Sequence, residues 1–404
     1  MTQPLKILQI VPSISLVYGG PSQMVRGFSQ SLSAAGAEVT IITTDSNGDV
    51  DEAPLDVPLG VPVKEANYTV YYFRCSPFRR YKFSIDLLRW LWEHAQDYDI
   101  AHVHALFSPV SSLAATVLRQ RGVPYLMRPL GTLDPADLRK KRQVKKLYAA
   151  VLERPNLAGA AAIHFTSAQE AHVSERFGTE TPGIVLPLGV VPPPPATTQI
   201  DVHEQFQIPR DRPLLLFMSR LDPKKGIDLL LPALETLRHE GLNFHLVMCG
   251  ANPQDREYER SVHQRVEQSA LRSHATLTGF VSGDLKAALL QAADLFVLPS
   301  YYENFGIAVA EAMLAGLPVV ISDQVHIWDT IQQSASGWIC ECDAASLTQQ
   351  LKDALKSPDE RTRRGQNAQH CAKHEYSWDA IAERAIVIYH DICSNQEPEK
   401  SPRL

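Results

Sequence analysis

Short apolar runs alternate along this chain with longer segments in which apolar side chains recur every three or four positions. The runs predict buried strands and the longer segments predict amphipathic helices. In the first half we predict strands at 6–12, 39–44, 68–74, 100–104, 125–128 and 161–166, and helices at 23–35, 86–94, 111–121, 137–152 and 168–177, with a loop over 46–66. In the second half we predict strands at 214–218, 244–249, 275–278, 295–298 and 319–321, and a last helix at 379–392. Such alternation is typical of parallel sheets covered by helices on both faces.

A proline-rich connector separates the two alternating regions. Four consecutive prolines at 192–195 cannot continue a helix or a central strand, and they favour a semi-rigid extended linker. A chain of 404 residues also exceeds the usual size of a single core. We therefore predict a first domain at 1–192, a second at 199–375, a helix at 376–394 and a disordered tail at 395–404.

Composition narrows the class of protein. The chain is 45% hydrophobic and 21% charged, as expected for a globular protein, and its six cysteines are sparse enough to be reduced thiols. Residues 1–196 hold 19 Lys/Arg against 17 Asp/Glu, so the remaining residues hold 20 against 28. Because neither half is strongly basic, a nucleic-acid partner is not expected. The sequence shows no apolar stretch of about 20 residues and no signal-like start, which predicts a cytoplasmic protein.

Two glutamates flank the predicted start of a helix that follows the apolar run at 295–298. Glu303 and Glu311 are eight residues apart. If one helix contained both, its rotation of 100° per residue would place the two side chains well off one face. We therefore place Glu303 in a loop and Glu311 inside the helix. The backbone N–H groups between them suit a diphosphate, and the two carboxylates suit hydroxyls on either side of it. A nucleotide sugar has this order of groups, with ribose, diphosphate and hexose in sequence. The binding residues are Glu311 and the connecting Asn304, Phe305, Gly306 and Ile307.

The residues around these glutamates resemble a known enzyme family. The pattern Glu–seven residues–Glu, with Phe-Gly after the first and Glu-Ala-Met-x-Ala-Gly-x-Pro around the second, resembles the retaining glycosyltransferases of family four, also called glycosyl transferases group 1. The resemblance implies the GT-B fold: two Rossmann-like, doubly wound parallel-sheet domains facing a cleft, with a C-terminal helix that crosses back to the first domain. It also implies that Glu303 lies near the donor sugar and that Glu311 binds the ribose.

A second motif at 219–226 supplies cations. Arg220 offers a planar fork for phosphate oxygens and Lys225 offers a compact positive charge, whereas Lys224 is expected to be a solvated neighbour. In the resembled family, the matching Arg and Lys grip the pyrophosphate. Arg220, Lys225 and Glu303 are thus the candidate catalytic residues. No Asp-x-Asp element appears at a strand end to hold a divalent ion, so we expect neither a metal nor a cofactor.

Several glycines complete the predicted donor site. Gly279-Phe280-Val281 resembles the turn that binds the nucleobase, although a plain strand-to-loop turn remains open for these residues. Gly250 matches a family glycine at a strand end, but Asn252-Pro253 replaces the usual second glycine. Gly19 and Gly20 follow the first strand, where the family's loop contacts diphosphate or acceptor. They do not form the dinucleotide fingerprint, which disfavours an NAD-dependent oxidoreductase.

The acceptor side is assigned to polar residues of the first half. His102 and His104 lie on the same face of a predicted strand, and in the family the second of such a pair lies towards the acceptor. A core role for both histidines stays open, and a zinc site is disfavoured because no further ligand cluster is near. Where many family members carry a histidine, this chain offers instead Arg128, Thr132 and Asp134. Arg128 could equally serve a structural ion pair. At Ser167 and Glu170 the spacing predicts a helix cap.

A basic helix is predicted at 139–152. Arg139, Arg142 and Lys146 share one stripe, with Leu147 and Val151 beside it. Such a helix can lie on anionic lipid, so peripheral contact with the inner membrane face stays open beside a solvated helix face.

These observations predict a retaining, metal-independent hexosyltransferase. It would use a UDP- or GDP-sugar donor and a sugar or lipid-linked acceptor, in polysaccharide, glycolipid or lipid-linked glycan synthesis. The alternatives are a catalytically silent sugar- or lipid-binding module, and a nucleotide-sugar epimerase or phosphorylase on the same fold. The presence of all four residues Arg220, Lys225, Glu303 and Glu311 argues against a silent module.

Overall fold

The computed structural model describes residues 3–48, 52–133, 142–192 and 200–394. The chain forms two compact units: Met1–Gly189 together with Trp378–Leu404, and Val190–Ser377. The division between them falls at Gly189, three residues before the predicted end of the first domain. The tail predicted to be disordered, 395–404, lies outside the described residues.

The first unit is built on an eight-stranded sheet in which seven strands run parallel and only β3 is antiparallel to its neighbour. The strand order is β3-β4-β2-β1-β5-β6-β7-β8. The central strands are fully buried because helices cover both faces, as their unbroken apolar runs require. The strands are β1 Lys6–Ile10, β2 Glu38–Thr44, β3 Pro62–Glu65, β4 Tyr68–Phe73, β5 Ile100–His104, β6 Tyr125–Arg128, β7 Ala162–Phe165 and β8 Gly183–Val185.

Six α-helices lie before the linker in the part of the chain that the structure describes. The first begins at Gly20, three residues before its predicted start, because Pro21 fits the first turn of a helix. The basic helix is described from Arg142 onward and passes through a π-helical turn, Ala149–Glu153. The helices are α1 Gly20–Ala34, α2 Ile85–His94, α3 Pro109–Arg121, α4 Arg142–Tyr148, α5 Arg154–Gly159 and α6 Ala168–Val173.

The second unit contains a six-stranded, wholly parallel sheet in the order β11-β10-β9-β12-β13-β14. Its strands are β9 Leu214–Met218, β10 His245–Cys249, β11 Ala275–Gly279, β12 Leu295–Leu298, β13 Val319–Ser322 and β14 Gly337–Cys340. Its helices are α7 Val202–Gln205, α8 Ile227–His239, α9 Arg256–Glu267, α10 Gly283–Ala292, α11 Ile307–Leu314, α12 Trp328–Gln333, α13 Ala344–Lys356 and α14 Pro358–Glu375.

The last helix, α15 (Trp378–Ser394), returns to the first unit and packs on α1. Trp378 lies between Gly27 and Gly189, where a Cβ atom would stand 2.7 Å and 2.1 Å from the indole ring. Only glycine leaves room for the ring at these two positions. Further along the helix, Tyr389 is buried and bonds to His102. The predicted fold class, including the terminal helix that crosses back to the first domain, is confirmed.

Candidate active site

The order of strands in the second unit reverses between β9 and β12. These neighbours are not consecutive in the chain, and the sheet grows outward from them in both directions. In open parallel sheets, ligands bind outside the carboxyl ends of the strands at such a switch point. The two motifs singled out in the sequence, 219–226 and 300–311, directly follow β9 and β12. The fold therefore brings them to one place.

The loop after β9 is packed tightly against the loop after β12. It contains a short 3-10 turn, Pro223–Lys225, and the Asp222 side chain accepts from the N–H of Lys224 at 3.0 Å. Gly226 then takes a left-handed conformation, with φ at +67°. A Cβ atom on Gly226 would stand 1.9 Å from the backbone oxygen of Pro299. This close approach requires glycine and sets the spacing between the two loops.

Lys225 and Glu303 meet across these loops. The Lys225 ammonium donates to Glu303 Oε2, and the two side chains are 15% and 23% exposed. The Glu303 backbone is fixed on both sides, since its N–H donates to Gln324 O at 3.1 Å and its oxygen accepts from His326 N at 3.0 Å. As predicted, Glu303 lies in a loop. The structure thus presents a cation and a carboxylate together at the switch point, both reachable from solvent.

Helix α11 begins immediately after this loop. Gly306 caps it with φ at +83°, and its oxygen accepts from Val309 N and Ala310 N. In any helix, the amide groups of the first turn have no acceptor within the helix and attract anions. The side chain of Phe305 is buried edge-to-face against Tyr376, with ring centroids 5.3 Å apart, so it packs the loop in place. Ile307 is the first helical residue.

Glu311 lies within α11, as predicted, and has a partner that the sequence did not indicate. Lys286 on α10 donates to Glu311 Oε1 at 2.6 Å. Both residues line a cavity of about 180 Å³, together with Ala287 and Leu290 of α10. No motif marks Lys286, because its role depends on how two helices pack rather than on spacing along one. The ammonium of Lys286 and the carboxylate of Glu311 therefore lie beside the apolar side chains of Ala287 and Leu290.

Arg220 is half exposed and weakly held. Its guanidinium lies 3.4 Å from Gln254 Oε1 and 3.4 Å from Asp222 Oδ2, both long for hydrogen bonds. The loop beneath it is firmly tied, because the buried Asn252 donates to Leu221 O at 2.8 Å. Asn252 stands where the resembled family has a glycine, so this tether is a feature that sequence reasoning missed. The guanidinium of Arg220 can therefore reorient, whereas the loop backbone beneath it is held in place.

Two further glycines of the predicted donor site lie at strand ends. Gly250 has φ at +157°, and a Cβ there would stand 1.9 Å from Ser219 O, so β9 and β10 approach closely at their carboxyl ends. Gly279 ends β11 with φ at +72° and its oxygen accepts from Gly250 N at 2.8 Å. Beyond it, Phe280 is 78% exposed and Val281 is buried. An aromatic ring exposed to this extent at a strand end is available for stacking.

The first unit has its own switch point, between β1 and β5. Gly19 and Gly20 follow β1, and Gly19 has φ at +68° with open space around its Cα. His104 ends β5, but its ring is fully buried and bonds to Gln9 Oε1 at 2.6 Å. It lies below the surface rather than at it. The assignment of these residues to diphosphate or acceptor stays a prediction.

His104 belongs to a cluster of three buried histidines, which we call the histidine cluster: His102, His104 and His164. His102 stacks on His104, with ring centroids 4.6 Å apart. His102 also contacts the third ring, with 3.1 Å between His102 Nε2 and His164 Nδ1. Burial lowers the pKa of all three rings, to about 3 for His164. The cluster is therefore neutral near pH 7 and forms part of the core that receives Tyr389.

The other acceptor-side candidates occupy different environments. Arg128 is only 3% exposed, and burial lowers its pKa to about 10. Thr132 is half-buried and its hydroxyl donates to Pro129 O at 2.7 Å. Asp134 lies outside the described residues. The predicted cap is confirmed, since the Ser167 hydroxyl accepts from Glu170 N at 3.0 Å.

The carboxylate of Glu170 does more than close that helix. It accepts from the N–H and hydroxyl of Thr166, both at 2.7 Å, and from Gly131 N at 3.1 Å. It thereby ties the loop after β6 to the end of β7. Of the predicted acceptor-side residues, His104 and Thr132 also hydrogen-bond within the first unit, and the role of the set towards an acceptor stays a prediction.

The basic helix is described only in part. Leu147 is 69% exposed and Val151 is 63% exposed, one helical turn apart, and Lys146 beside them is exposed. Arg139 lies outside the described residues, and nothing is said of the Arg142 side chain. In the ranges that the structure describes, every helix is too short or too polar to cross a bilayer.

Two α/β units, one on a wholly parallel sheet and one on a sheet with a single antiparallel strand, form the fold seen in GT-B glycosyltransferases. Sucrose-phosphate synthase from Thermosynechococcus elongatus superposes with a TM-score of 0.73 at 22% identity, covering 97% of this chain and 100% of that one. HepE from Anabaena, solved with UDP and glucose, gives 0.70 at 16% identity, covering 96% and 100%. The model for glycosyl transferases group 1 matches residues 198–370, and a glycosyl transferase 4-like domain matches 19–189. The chain belongs to the group 1 glycosyltransferases.

Curated relatives carry glycosyltransferase names with different substrates. An uncharacterised glycosyltransferase from Methanocaldococcus jannaschii is 31% identical over 47% of this chain and 48% of its own length. Alpha-D-kanosaminyltransferase from Streptomyces kanamyceticus is 28% identical over 45% and 46%. The chain thus spans about half the length of these two relatives. D-inositol 3-phosphate glycosyltransferase from Xylanimonas cellulosilytica is 25% identical over 92% of this chain and 91% of that protein.

Proposed function

We propose that this chain transfers a hexosyl group from a nucleotide sugar to an acceptor hydroxyl, with retention of configuration and without a metal ion. The observation that carries the proposal is the contact between Lys225 and Glu303 at the switch point of the second unit. A cation for phosphate and a carboxylate for sugar hydroxyls meet there, beside the start of α11. The binding of UDP and UDP-glucose by proteins of similar fold supports a UDP-sugar donor, with a GDP-sugar as the alternative.

The leaving group dictates what these residues do. As the bond from the sugar to the diphosphate breaks, negative charge develops on the diphosphate oxygens. Lys225, Arg220 and the first turn of α11 supply fixed positive potential at that position, which stabilises the transition state. Because Lys225 donates to Glu303, a diphosphate at this position competes with that carboxylate for the ammonium. Glu303 is then released towards the sugar.

Retention follows from the same arrangement. In our proposal the acceptor hydroxyl attacks from the face that the diphosphate leaves, and the leaving diphosphate accepts the proton of that hydroxyl. The bond from C1 to the donor oxygen breaks as the bond from C1 to the acceptor oxygen forms. No enzymic nucleophile is needed, so Glu303 orients the sugar and stabilises its developing positive charge.

The ribose end of the donor is assigned to Glu311. Its second oxygen can accept from ribose hydroxyls while Lys286 holds the first. The exposed ring of Phe280 lies after β11, the strand beyond β10, and is the candidate for stacking on the nucleobase. We propose a sugar or lipid-linked acceptor for the first unit, and a cytoplasmic enzyme of polysaccharide, glycolipid or lipid-linked glycan synthesis.

The test begins with thermal unfolding in the presence of UDP-, GDP- and ADP-sugars, since a ligand of the folded state raises the midpoint. Lys225→Ala should then lower turnover with the stabilising donor at least tenfold, because a lost charge-assisted contact costs about 1.5–3 kcal/mol. Lys224→Ala is the matched control, as its exposed side chain lies one residue away. Activity should also survive excess EDTA.

Equal loss in both lysine variants, or no loss in either, would remove the diphosphate assignment. Inactivation by EDTA with recovery on adding Mg²⁺ or Mn²⁺ would overturn metal independence. Epimer formation without an acceptor, or transfer to free phosphate, would favour the other activities of this fold. Tight donor binding without turnover for any acceptor class tested would favour a silent module.

A further inference from the structure

Exposed apolar side chains are concentrated on one part of the first unit. Among the described residues, fourteen large hydrophobic side chains are exposed, and five of them fall within 16–17 and 78–85. Single exposed apolar residues are ordinary, whereas a cluster marks a contact surface. The five exposed fractions are 59% for Leu16, 63% for Val17, 60% for Phe78, 57% for Tyr81 and 50% for Ile85.

The two segments form one surface. The Lys82 ammonium lies 3.5 Å above the centre of the Tyr18 ring, which joins the segment after β4 to the segment after β1. The Tyr18 hydroxyl donates to Gly48 O at 2.7 Å, so the loop after β2 lies beneath them. We call this the amphiphilic surface and define it by Leu16, Val17, Phe78, Arg80, Tyr81 and Lys82.

Positive charge accompanies the apolar groups. Residues 79–82 read Arg-Arg-Tyr-Lys, and within the described ranges no carboxylate pairs with Arg80 or Lys82. Acidic residues also lie nearby, and among the described residues these include Asp45, Glu52 and Asp86. Glu52 accepts from Arg79 through its backbone oxygen at 2.8 Å, and Asp86 lies 4.0 Å from Arg89 on α2. The surface therefore combines exposed aromatic rings with cations that no described carboxylate pairs.

The backbone that presents these side chains is firmly anchored. Cys75 is buried, its N–H donates to Asp45 Oδ1 at 2.7 Å, and its thiol contacts Arg79 O at 3.6 Å. At the other end the buried Ser84 caps α2 by accepting from Leu87 N at 3.2 Å. Because the backbone of this turn is already ordered, little further backbone freedom is lost when a partner covers its side chains.

We propose that the amphiphilic surface binds an anionic lipid bilayer. Aromatic side chains favour the headgroup level of a membrane, where a ring has one apolar and one wet side, and nearby Lys and Arg are drawn to anionic lipids. Charge complementarity therefore selects acidic lipid over a neutral apolar partner. This surface differs from the basic helix considered in the sequence, and the proposal does not rest on the transferase reaction.

The position of the amphiphilic surface determines which edge of the first unit would face the bilayer. The surface lies in the loops after β1 and β4, at the carboxyl edge of the first sheet, where parallel sheets bind their ligands. Seating these loops on a bilayer would bring that edge, including Gly19, to the lipid headgroups.

The experiment is co-sedimentation of the full chain with vesicles of phosphatidylcholine alone and with 30% phosphatidylglycerol. Wild type should bind only the anionic vesicles, and binding should weaken with added salt. Arg80→Glu should lower the partition coefficient at least tenfold, since each basic residue near an anionic surface contributes several-fold and reversal removes more than one such contribution. The double variant Phe78→Ser with Tyr81→Ser should also lose tenfold or more.

Two controls locate the contact. Val387→Ser removes an equally exposed apolar group, 60%, from the terminal helix and should leave binding unchanged. Leu147→Ser with Val151→Ser tests the basic helix, and it should bind as wild type if the amphiphilic surface is the contact. Unchanged thermal midpoints establish that each variant is folded. Loss of binding only in the Leu147 and Val151 variant, equal binding to neutral vesicles, or a self-association that accounts for the exposed groups without lipid would each overturn the proposal.

Discussion

Replacing Gly226 with alanine tests the idea that a close backbone approach sets the active-site spacing. Two separate penalties apply at this position. Alanine is disfavoured at φ +67° whatever surrounds it, and its Cβ would stand 1.9 Å from the backbone oxygen of Pro299. Because the contacted atom belongs to the backbone, it cannot rotate away, and the two loops must move apart.

The chain contains a matched control that carries only the first penalty. Gly241 also has a left-handed conformation, at φ +83°, but nothing lies within 4 Å of the position of its Cβ. Gly241→Ala should therefore cost about 1 kcal/mol of unfolding free energy. Gly226→Ala should cost that amount and a further 1–3 kcal/mol, roughly, from overpacking.

The functional effect should separate the two variants even more clearly. Lys225 precedes Gly226, so a displaced loop carries the ammonium away from the diphosphate position. We expect Gly226→Ala to weaken nucleoside diphosphate binding at least tenfold, the effect of losing about 1.4 kcal/mol or more. Gly241→Ala should bind as wild type. Urea unfolding and calorimetric titration of UDP and GDP measure both effects. Equal stability and equal affinity in the two variants would refute the reasoning.

Three other outcomes are expected. Glu311→Gln should raise the donor Michaelis constant with a modest change in turnover, because a ribose contact exists equally in ground and transition states. Glu303→Gln should lower turnover and still bind the nucleoside diphosphate; the opposite pattern in titrations would reverse the two assignments. Below pH 6.5 the first unit should lose stability, because the histidine cluster stays neutral when folded and takes up protons when unfolded. At pH 5.5 three such rings destabilise it by about 4 kcal/mol relative to pH 7.5, so a flat urea midpoint between these values would contradict the burial argument.

The central strands were predictable because their sequences carry one strong signal. Strands such as Leu214–Met218, Ile100–His104 and Leu295–Leu298 coincide with their predicted ranges. Each is buried on both faces, which favours apolar side chains at most positions. Helix α11 was predicted from the apolar segment that follows the run at 295–298, with its start between the two glutamates.

The strands that were not predicted lie at sheet edges. These are Pro62–Glu65, Gly183–Val185 and Gly337–Cys340, each with a neighbour on one side only. An edge strand is short and partly exposed, so it need not carry an apolar run. Pro62–Glu65 falls inside the segment predicted as a loop, because its composition is that of a loop and only the pairing with β4 makes it a strand.

The residues of the candidate site also differ in whether a local sequence signal marks them. Glu303, Glu311 and Lys225 could be found because they lie within one motif each and follow predicted strands. Lys286 and Asn252 could not, because their roles arise from contacts across elements. Asn252 was visible as a departure from a family glycine, but its bond to Leu221 is a property of the folded loop.

The return of the last helix to the first unit has a consequence for how the protein is made. During synthesis, residues 1–189 leave the ribosome first, yet their unit lacks the helix that fills the space between Gly27 and Gly189 and that bonds to His102. That space can be filled only after the whole of the second unit has emerged. The second unit can therefore fold as it appears, while the first waits with an open apolar groove for the seventeen-residue helix α15. A nascent chain stalled just before Trp378 would expose that groove and should be the form of this protein that chaperones hold longest.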